Sequence, residues 1–319
     1  MGLLRLPLRA RSAGALAAAC VAFALPARAQ QDLGHKVLGT LGLRAGAQQD
    51  PGVYVADRVI FFHADRVVDR NGNRIPMGVD IDAFANGVGA GAVFRVAPLS
   101  TYVGASVGVP FAHLRASTSR PEASTDRFGL SDLYVQPIRL GWRLGGHVDA
   151  IAGYGFYAPT GKFEPGLRSG IGRGYWTHEP FAGGTVYFDR RGGWNLSALA
   201  SYDFNGRKRG IDITRGETLQ IQGGAGAPVF RIVEVGVAAY AQWQVRDDRG
   251  ADLPEVLRGA RDRAFGLGPE VAVTIPALRS RLSARWAHDV HTRSRPVGQV
   301  FVVGLTVAVW KPSTERESH

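Results

Sequence analysis

The feature that most constrains the fold is an alternation of side chains with period two, maintained over long stretches of the chain. The clearest stretch spans residues 233–246, where one set of alternate positions is wholly apolar: Val233, Val235, Val237, Ala239, Ala241, Trp243 and Val245. The other set is polar or small and includes Glu234, Tyr240, Gln242, Gln244 and Arg246. Because successive side chains of a β-strand point to opposite faces, this stretch is predicted to be a strand with one apolar face.

The same alternation recurs along the chain and predicts an all-β fold. Residues 194–205 place Trp194 and Leu196 opposite Asn195 and Ser197, and residues 281–290 alternate in the same way. Helical periodicity is nearly absent after residue 30. Reading such segments in order predicts about twelve strands, at 52–63, 79–94, 101–113, 131–143, 147–158, 175–188, 193–205, 217–226, 232–246, 263–275, 279–290 and 298–310.

The connections between these strands alternate in length. Short ones are predicted near 97–98, 145–146, 191–192, 228–229 and 276–277, and long ones at 64–78, 114–130, 159–174, 206–216, 247–262 and 291–297. Short turns at one end, long loops at the other and an even number of strands are typical of outer-membrane barrels. The sequence therefore predicts a transmembrane antiparallel β-barrel of the outer-membrane type. A secreted β-sandwich, which buries its apolar face against a second sheet, is the alternative.

The first residues have the form of an export signal. A positive start, an apolar core and small residues at a cleavage site are supplied in turn by Arg5, Arg9 and Arg11, by residues 13–25, and by Ala27 and Ala29. The apolar core is shorter than the ~20 residues that a membrane-anchoring helix needs, and a lipoprotein signal at Cys20 is a weaker alternative. We expect a cleaved signal peptide at 1–29, an N-terminal segment at 30–50, the barrel at 51–310 and a polar C-terminal tail at 311–319.

Composition excludes several classes of function. Cys20 is the single cysteine of the sequence and lies in the predicted signal, so the mature chain is expected to have no disulfide, thiol nucleophile or thiolate metal site. The formal net charge of +11 would suit nucleic acid, but an exported chain seldom meets that partner. We interpret the charge as attraction to anionic surface sugars, lipids or solutes, and we expect no nucleic-acid partner.

Several motifs in one order resemble a known family. They occupy residues 129–137, 153–163, 172–178, 202–208 and 235–245. Together they resemble the "putative meta-pathway of phenol degradation" family of outer-membrane proteins, whose members are usually called transporters. The resemblance is strongest over residues 127–310 and fainter from residue 51 onward. It implies a barrel and uptake of a hydrophobic or aromatic solute, and it assigns no role to any single residue.

No arrangement typical of catalysis or metal binding stands out in the sequence. Ser201 and Ser283 lie on presumed inner faces, but no histidine is placed to activate them. His288 and His291 are three residues apart, a spacing that points them to opposite faces of a strand. The stretch 155–162 is one residue too long for a phosphate-binding loop. The sequence therefore predicts no catalytic residue, no metal site and no cofactor.

The polar faces of the predicted strands would line the lumen. The lumen-lining candidates are Asp132, Tyr134, Gln136, Arg139, Asp149, Asp203, Gln222, Glu234, Tyr240, Gln242, Gln244, Arg246, Glu270, Arg281 and Arg285. Such groups either pair across the lumen and brace the barrel, as Glu234 with Arg281 would, or contact a solute. Tyr134 and Tyr240 suit both roles, because a tyrosine ring combines apolar area with a polar tip.

These observations together predict a channel or transporter in the outer membrane of a Gram-negative bacterium. Small hydrophobic or aromatic compounds would pass through it passively, since the sequence shows no energy-coupling motif and no nucleotide site. The expected partners are such a solute and outer-membrane lipid. A structural or surface-interaction barrel without transport is the alternative, and an outer-membrane hydrolase is the third possibility.

Overall fold

The computed structural model describes residues 32–163, 165, 171–189 and 193–312, and most of them belong to β-strands. Numbered in chain order, the strands are β1 Gly52–Val68, β2 Arg74–Ile75, β3 Val79–Val96, β4 Thr101–Ser119, β5 Glu122–Leu130, β6 Leu133–Leu144, β7 Val148–Ala158, β8 Thr177–Tyr187, β9 Asn195–Asn205, β10 Thr218–Phe230, β11 Val233–Gln244, β12 Arg263–Ile275, β13 Ser280–Arg293 and β14 Arg295–Trp310. The predicted signal peptide lies outside the described residues, as does most of the predicted tail.

Within the described part of the chain, no helix combines the length and the apolar composition needed to span a membrane.

Twelve of these strands form one closed antiparallel barrel. All strands except β2 and β5 pair with their neighbours in chain order, and β14 returns to pair with β1. That last pairing runs from Val53 opposite Trp310 to Val68 opposite Arg295, with Phe61 opposite Phe301. The two remaining strands, β2 and β5, extend β1 and β4 beyond the barrel at the end with long loops. The predicted fold class is confirmed.

The predicted strands match most of the barrel strands. The long loop predicted at 291–297 is wrong, because β13 continues to Arg293 and β14 begins at Arg295. The largest difference lies in the segment 114–130. It is predicted as a loop, but β4 continues to Ser119 and pairs there with β5. The paired positions include Thr118 with Ala123 and Ala116 with Thr125, so neither face of this hairpin is strongly apolar. Sequence alternation detects a strand through its apolar face, and that signal stops where the hairpin leaves the membrane.

The barrel is apolar outside and polar inside, the reverse of a soluble protein. On β11 the side chain of Val237 is 50% exposed, whereas that of Glu234, on the opposite face, is 4% exposed. The other exposed apolar positions of the barrel wall include Val55, Val88, Val107, Val109, Leu196, Ile221, Val235, Leu267, Val271, Leu282 and Leu305. Such a surface is favourable in hydrocarbon and identifies the barrel as a membrane-spanning one.

A row of aromatic rings marks one edge of the apolar belt. The ring of Phe61 packs against those of Phe84 and Phe301, with centroids 5.3 and 6.4 Å apart. Two residues further toward the long loops, the outward positions become polar, where His63 contacts Asp82 at 2.9 Å. Aromatic girdles flank the apolar band of outer-membrane barrels in this way. The row therefore places the long loops on the water side of the membrane boundary.

The connections at the opposite end are short. Gly145 and Gly146 turn the chain from β6 to β7 with φ of +60° and +71°, values that favour glycine. The turn predicted at 228–229 instead lies at 231–232, because β10 continues past Pro228. Its pairing with β11 shifts by one position between Pro228 and Phe230. A proline is tolerated at such a bulge, since the missing N–H leaves no ladder bond unmade.

We expect that Val237→Arg destabilises the barrel in lipid by about 2–4 kcal/mol, because it places a charge at mid-membrane on the lipid face. The control is Ile232→Arg in the turn between β10 and β11, where the expected cost is about 0–1 kcal/mol. Denaturant unfolding of the protein in lipid vesicles measures both values. Equal destabilisation by the two substitutions would contradict the assignment of the outer face.

Candidate functional site

Residues 32–50, here called the lumen segment, run through the interior of the barrel. Their partners lie on the inward faces of all strands from β6 to β13. Near the long-loop end Lys36 donates to Ser201 at 2.6 Å, and near the middle the Leu43 N–H donates to Glu270 at 3.0 Å. Near the short-turn end the Gln48 N–H donates to Asp149 at 2.9 Å. The segment therefore occupies the lumen along its length.

The start of the lumen segment is anchored among three cationic side chains of the long loops. The Asp32 carboxylate lies 2.7 Å from Lys208 Nζ and 3.6 Å from an Arg173 nitrogen. Arg215, which is almost fully buried, donates to the Asp32 carbonyl and pairs with Asp262 at 3.0 Å. Burial by itself raises the pKa of Asp32, but attraction to these cations outweighs it and holds that pKa well below its usual range. Asp32 is therefore an ionised anchor.

A second anchor joins His35 to Asp132, which precedes β6 and is fully buried. The His35 ring contacts the Asp132 carboxylate at 2.9 Å and stacks on Tyr157 with centroids 4.7 Å apart. Asp132 also accepts the backbone N–H groups of Gly161 and Arg173 at 2.9 and 2.7 Å. Burial opposes ionisation of Asp132, but these hydrogen bonds keep its pKa below the ordinary value. One carboxylate thus ties the lumen segment to two loop positions.

Ion pairs continue down the lumen. Lys36 pairs with Glu179 and lies 3.9 Å from Asp203, and Tyr134 donates to Glu179 at 3.1 Å. The Leu41 N–H donates to the side-chain oxygen of Gln222 at 3.2 Å. Glu179 and Asp203 are largely enclosed and poorly hydrated, so the positive charge of Lys36 stabilises these two carboxylates in place of water.

Glu234 is the centre of the next cluster. It accepts from Arg44 of the lumen segment at 3.0 Å, from Arg281 of β13 at 2.7 Å and from Asn195 of β9 at 2.7 Å. A single buried carboxylate therefore links the segment to two other strands across the lumen. Such multiply bonded carboxylates hold charged partners more firmly than exposed pairs do.

A neighbouring cluster fixes the backbone of the lumen segment. Arg285 pairs with Glu270 at 2.8 Å and donates to the Gly39 carbonyl at 2.9 Å. A Cβ atom on Gly42 would lie 1.7 Å from the Glu270 carboxylate, so only glycine allows the backbone to approach this closely. Nearer the short turns Arg139 donates to the Ala47 carbonyl at 2.6 Å.

The opposite wall of the lumen is built differently. Inward positions of β3 are Gly87, Gly89 and Gly91, which alternate with the exposed outward residue Val88. Among the described residues, the wall hydrogen bonds of the lumen segment from Gly34 to Gln49 go to β6–β13 and the adjoining loops. The segment thus lies against one side of the barrel and leaves the side formed by β1, β3 and β4 less occupied.

Part of this remaining space, toward the long loops, is an apolar cavity. Its volume is about 640 Å³, and the lumen segment contributes Val37 and Leu38 to its lining. The barrel and its long loops contribute the apolar side chains of Phe62, Val67, Val68, Ile75, Met77, Ile81, Leu114, Val256, Leu257 and Val300. The polar side chains of the lining are Lys36, Asp69, Arg70, Asn71, Arg173, Tyr240, Glu255, Asp289, Ser294 and Arg295. Predominantly apolar pockets with a few placed polar groups are characteristic of small-molecule sites.

Comparison with known sequences places the chain in a family. The family profile described as "Putative MetA-pathway of phenol degradation" matches residues 64–303. The chain belongs to this family. The family resemblance predicted from the motifs is therefore confirmed. A search of curated protein sequences found no match.

Solved structures resemble the barrel of this family member. An outer membrane channel from Pseudomonas putida F1 is 12% identical, with a TM-score of 0.70 over 86% of this chain and 99% of that one. The transport unit of the autotransporter AIDA-I from Escherichia coli is 11% identical, with a TM-score of 0.48 over 92% and 97% of the two chains. The translocator domain of NalP from Neisseria meningitidis is 13% identical, with a TM-score of 0.46 over 82% and 90%. At 12% identity the likeness to the channel from Pseudomonas putida F1 shows the fold alone.

The structure brings most of the lumen-lining candidates into contact with the lumen segment or with its immediate partners. These are Asp132, Tyr134, Arg139, Asp149, Asp203, Gln222, Glu234, Tyr240, Glu270, Arg281 and Arg285. Gln242 and Gln244 bond instead to Asp262 and Asp248 at the long-loop end. Gln136 lies at an irregularity between β6 and β7. Arg246 lies beyond the end of β11, largely exposed, and pairs with Glu217 at 3.2 Å.

Sequence reasoning missed the lumen segment itself, although the sequence contains a signal for it. Residues 30–50 lack period-two alternation, yet they carry glycines at 34, 39, 42 and 46 together with Lys36 and Arg44. Closely spaced glycines indicate close backbone approach, and the cations complement the excess of carboxylates on the predicted inner faces.

We expect Glu234→Gln to loosen the lumen segment, because it leaves Arg44 and Arg281 with a neutral partner. A hydrogen bond to a charged group contributes about 1.5–3 kcal/mol, which corresponds to roughly tenfold or more in exposure of the segment. Ala45→Cys provides a reporter, and labelling of its thiol by a water-soluble maleimide measures the exposure. The control is Glu217→Gln, which removes a carboxylate that pairs with Arg246 outside the segment. Equal labelling rates in both backgrounds would show that Glu234 does not hold the segment.

Proposed function

We propose that this protein is a channel in the outer membrane of a Gram-negative bacterium and carries small hydrophobic or aromatic compounds by passive passage. The observation that carries the proposal is the apolar cavity of about 640 Å³ in an otherwise polar lumen. Burial of apolar surface in such a cavity stabilises a hydrophobic solute by about 25 cal/mol per Å². A polar solute gains nothing there and loses its hydration.

The lumen segment supports this choice of solute. The segment forms hydrogen bonds and ion pairs with charged and polar groups of β6–β13. Few of those groups therefore remain free to form hydrogen bonds with a polar solute that moves along that side. Toward the long loops, the β1, β3 and β4 side presents small and apolar side chains instead. A hydrophobic compound therefore meets a favourable surface where a hydrophilic one meets a barrier.

The comparisons support the proposal in two ways. The description of the family refers to a pathway of phenol degradation, which is a pathway for an aromatic compound. The structure from Pseudomonas putida F1 is described as an outer membrane channel. The sequence contains no nucleotide-binding motif, and passive diffusion through the barrel needs none. A catalytic role is not part of the proposal.

A closed barrel without transport is the second candidate, and the ionic anchoring of the lumen segment favours it. The segment is held near its start by Asp32 and near its end by Asp50, which pairs with Arg143 at 2.7 Å. Buried ionic networks of this kind rigidify an interior. The two candidates differ in whether a hydrophobic solute crosses.

A permeation assay separates them. Vesicles with lipopolysaccharide in the outer leaflet slow the entry of N-phenyl-1-naphthylamine, whose fluorescence rises in the inner leaflet. We expect the protein to accelerate entry and Ala116→Phe to reduce the acceleration several-fold, because Ala116 lines the cavity and the larger ring fills it. Ala105→Phe on the outward face of the same strand is the matched control and should leave the rate unchanged. Equal entry into vesicles with and without the protein would refute transport of such solutes.

A further inference from the structure

One cationic side chain of the apolar cavity has no counter-charge. Arg295 begins β14, lines the cavity and is 8% exposed. Its Nε and one terminal nitrogen, Nη1, are buried, and neither has a hydrogen-bond partner among the residues that the structure describes. A buried, unpaired guanidinium is unfavourable, because it loses its hydration and gains nothing in exchange. An anion bound in the cavity would therefore satisfy the unpaired guanidinium of Arg295.

The neighbouring carboxylates do not supply that anion. Asp289 accepts the Tyr240 hydroxyl at 2.7 Å with one oxygen and the Gly298 N–H at 2.9 Å with the other. Asp69 accepts the backbone N–H groups of Asn71 and Asn73 at 2.8 and 2.9 Å. The third, Glu255, pairs with Arg258 at 2.8 Å. Each acidic group that lines the cavity thus has partners of its own, and in the described part of the chain none lies within 4.0 Å of the Arg295 guanidinium.

A second donor without a partner lies next to the first. Ser294 also lines the cavity and is 6% exposed, and its Oγ has no hydrogen-bond partner among the described residues. Its backbone has a φ of +52° and is held by a hydrogen bond from its N–H to the Asp69 carbonyl at 3.0 Å. Two adjacent residues of the cavity lining therefore hold buried donors without a partner. A carboxylate offers two acceptor oxygens to such donors.

The rest of the cavity is apolar on the side of β1, β3 and β4. Val67, Met77 and Ile81 form one cluster there, against which Phe62 and Leu114 pack. A cavity of about 640 Å³ falls in the range that encloses a drug-sized molecule, so a ring and its headgroup fit together. The cavity combines an apolar wall with an unpaired guanidinium. It is therefore complementary to a molecule that has an apolar body and an anionic end.

We propose that this cavity is a binding site for amphipathic anions, namely small aromatic or alkyl carboxylates, whose headgroup Arg295 and Ser294 bind while the apolar body lies against β1, β3 and β4. The proposal rests on the proposed channel function and narrows its solute class from hydrophobic compounds in general to those with a carboxylate. A planar guanidinium binds a carboxylate through two parallel hydrogen bonds, which a lysine cannot reproduce.

The test compares 2-naphthoate with 2-methylnaphthalene, which share a ring system and differ in charge. Binding is measured by titration of the full barrel in phosphatidylcholine nanodiscs, whose zwitterionic headgroups carry no net negative charge. We expect Arg295→Gln to weaken naphthoate binding at least about tenfold and to leave methylnaphthalene binding unchanged. Arg295→Lys keeps the charge and should retain intermediate affinity, so it also serves if the glutamine variant fails to fold. Ser294→Ala should give a smaller loss for naphthoate alone.

Arg263→Gln is the matched control, because Arg263 is an exposed arginine at the same end of the barrel outside the cavity lining. It should bind both compounds like the unaltered protein. Equal naphthoate affinity in Arg295→Gln, Arg263→Gln and the unaltered protein would overturn the proposed carboxylate site. If methylnaphthalene still binds in that case, the proposed channel function is not contradicted. If neither compound binds or crosses the membrane, both the carboxylate site and the channel function are overturned.

Discussion

The pairing of β14 with β1 is the interaction on which the rest of the structure depends. It joins the two ends of the chain's sheet and leaves the barrel wall without an edge. In hydrocarbon no water satisfies exposed N–H and C=O groups, and each unsatisfied group costs several kcal/mol. Closure therefore makes the apolar outer surface compatible with a bilayer, and that outer surface in turn forces the polar set of side chains inward.

The inward polar set creates a second requirement, which the lumen segment meets. Carboxylates such as Glu234, Glu270 and Glu179 are buried inside a narrow barrel, where isolated charges are unfavourable. Lys36 and Arg44, together with backbone N–H groups of the segment, complete their coordination. The segment is thus part of the electrostatic structure of the barrel, and its glycines allow it to approach the wall closely enough to play that part.

The asymmetry of the lumen follows from where these partners lie. The segment is drawn toward the charged wall of β6–β13, so space remains beside the wall of β1, β3 and β4. Toward the long loops the side chains of that wall are small or apolar, and the space becomes a hydrophobic cavity with Arg295 in its lining. The same division of charge that anchors the segment also separates a braced half of the lumen from a half suited to an apolar solute.

The sequence by itself determined the strands and most of their faces, because alternation with period two is a local property of the chain. It was ambiguous where both faces are apolar, as in Val59, Ile60, Phe61 and Phe62, and there only the closed barrel shows that Phe61 faces lipid while Phe62 lines the cavity. The path of residues 32–50 was decided by tertiary structure alone. Its hydrogen bonds join residues up to 246 positions apart, as between Arg285 and Gly39. No local pattern encodes such contacts, since they exist only after closure has brought eight strands around one segment.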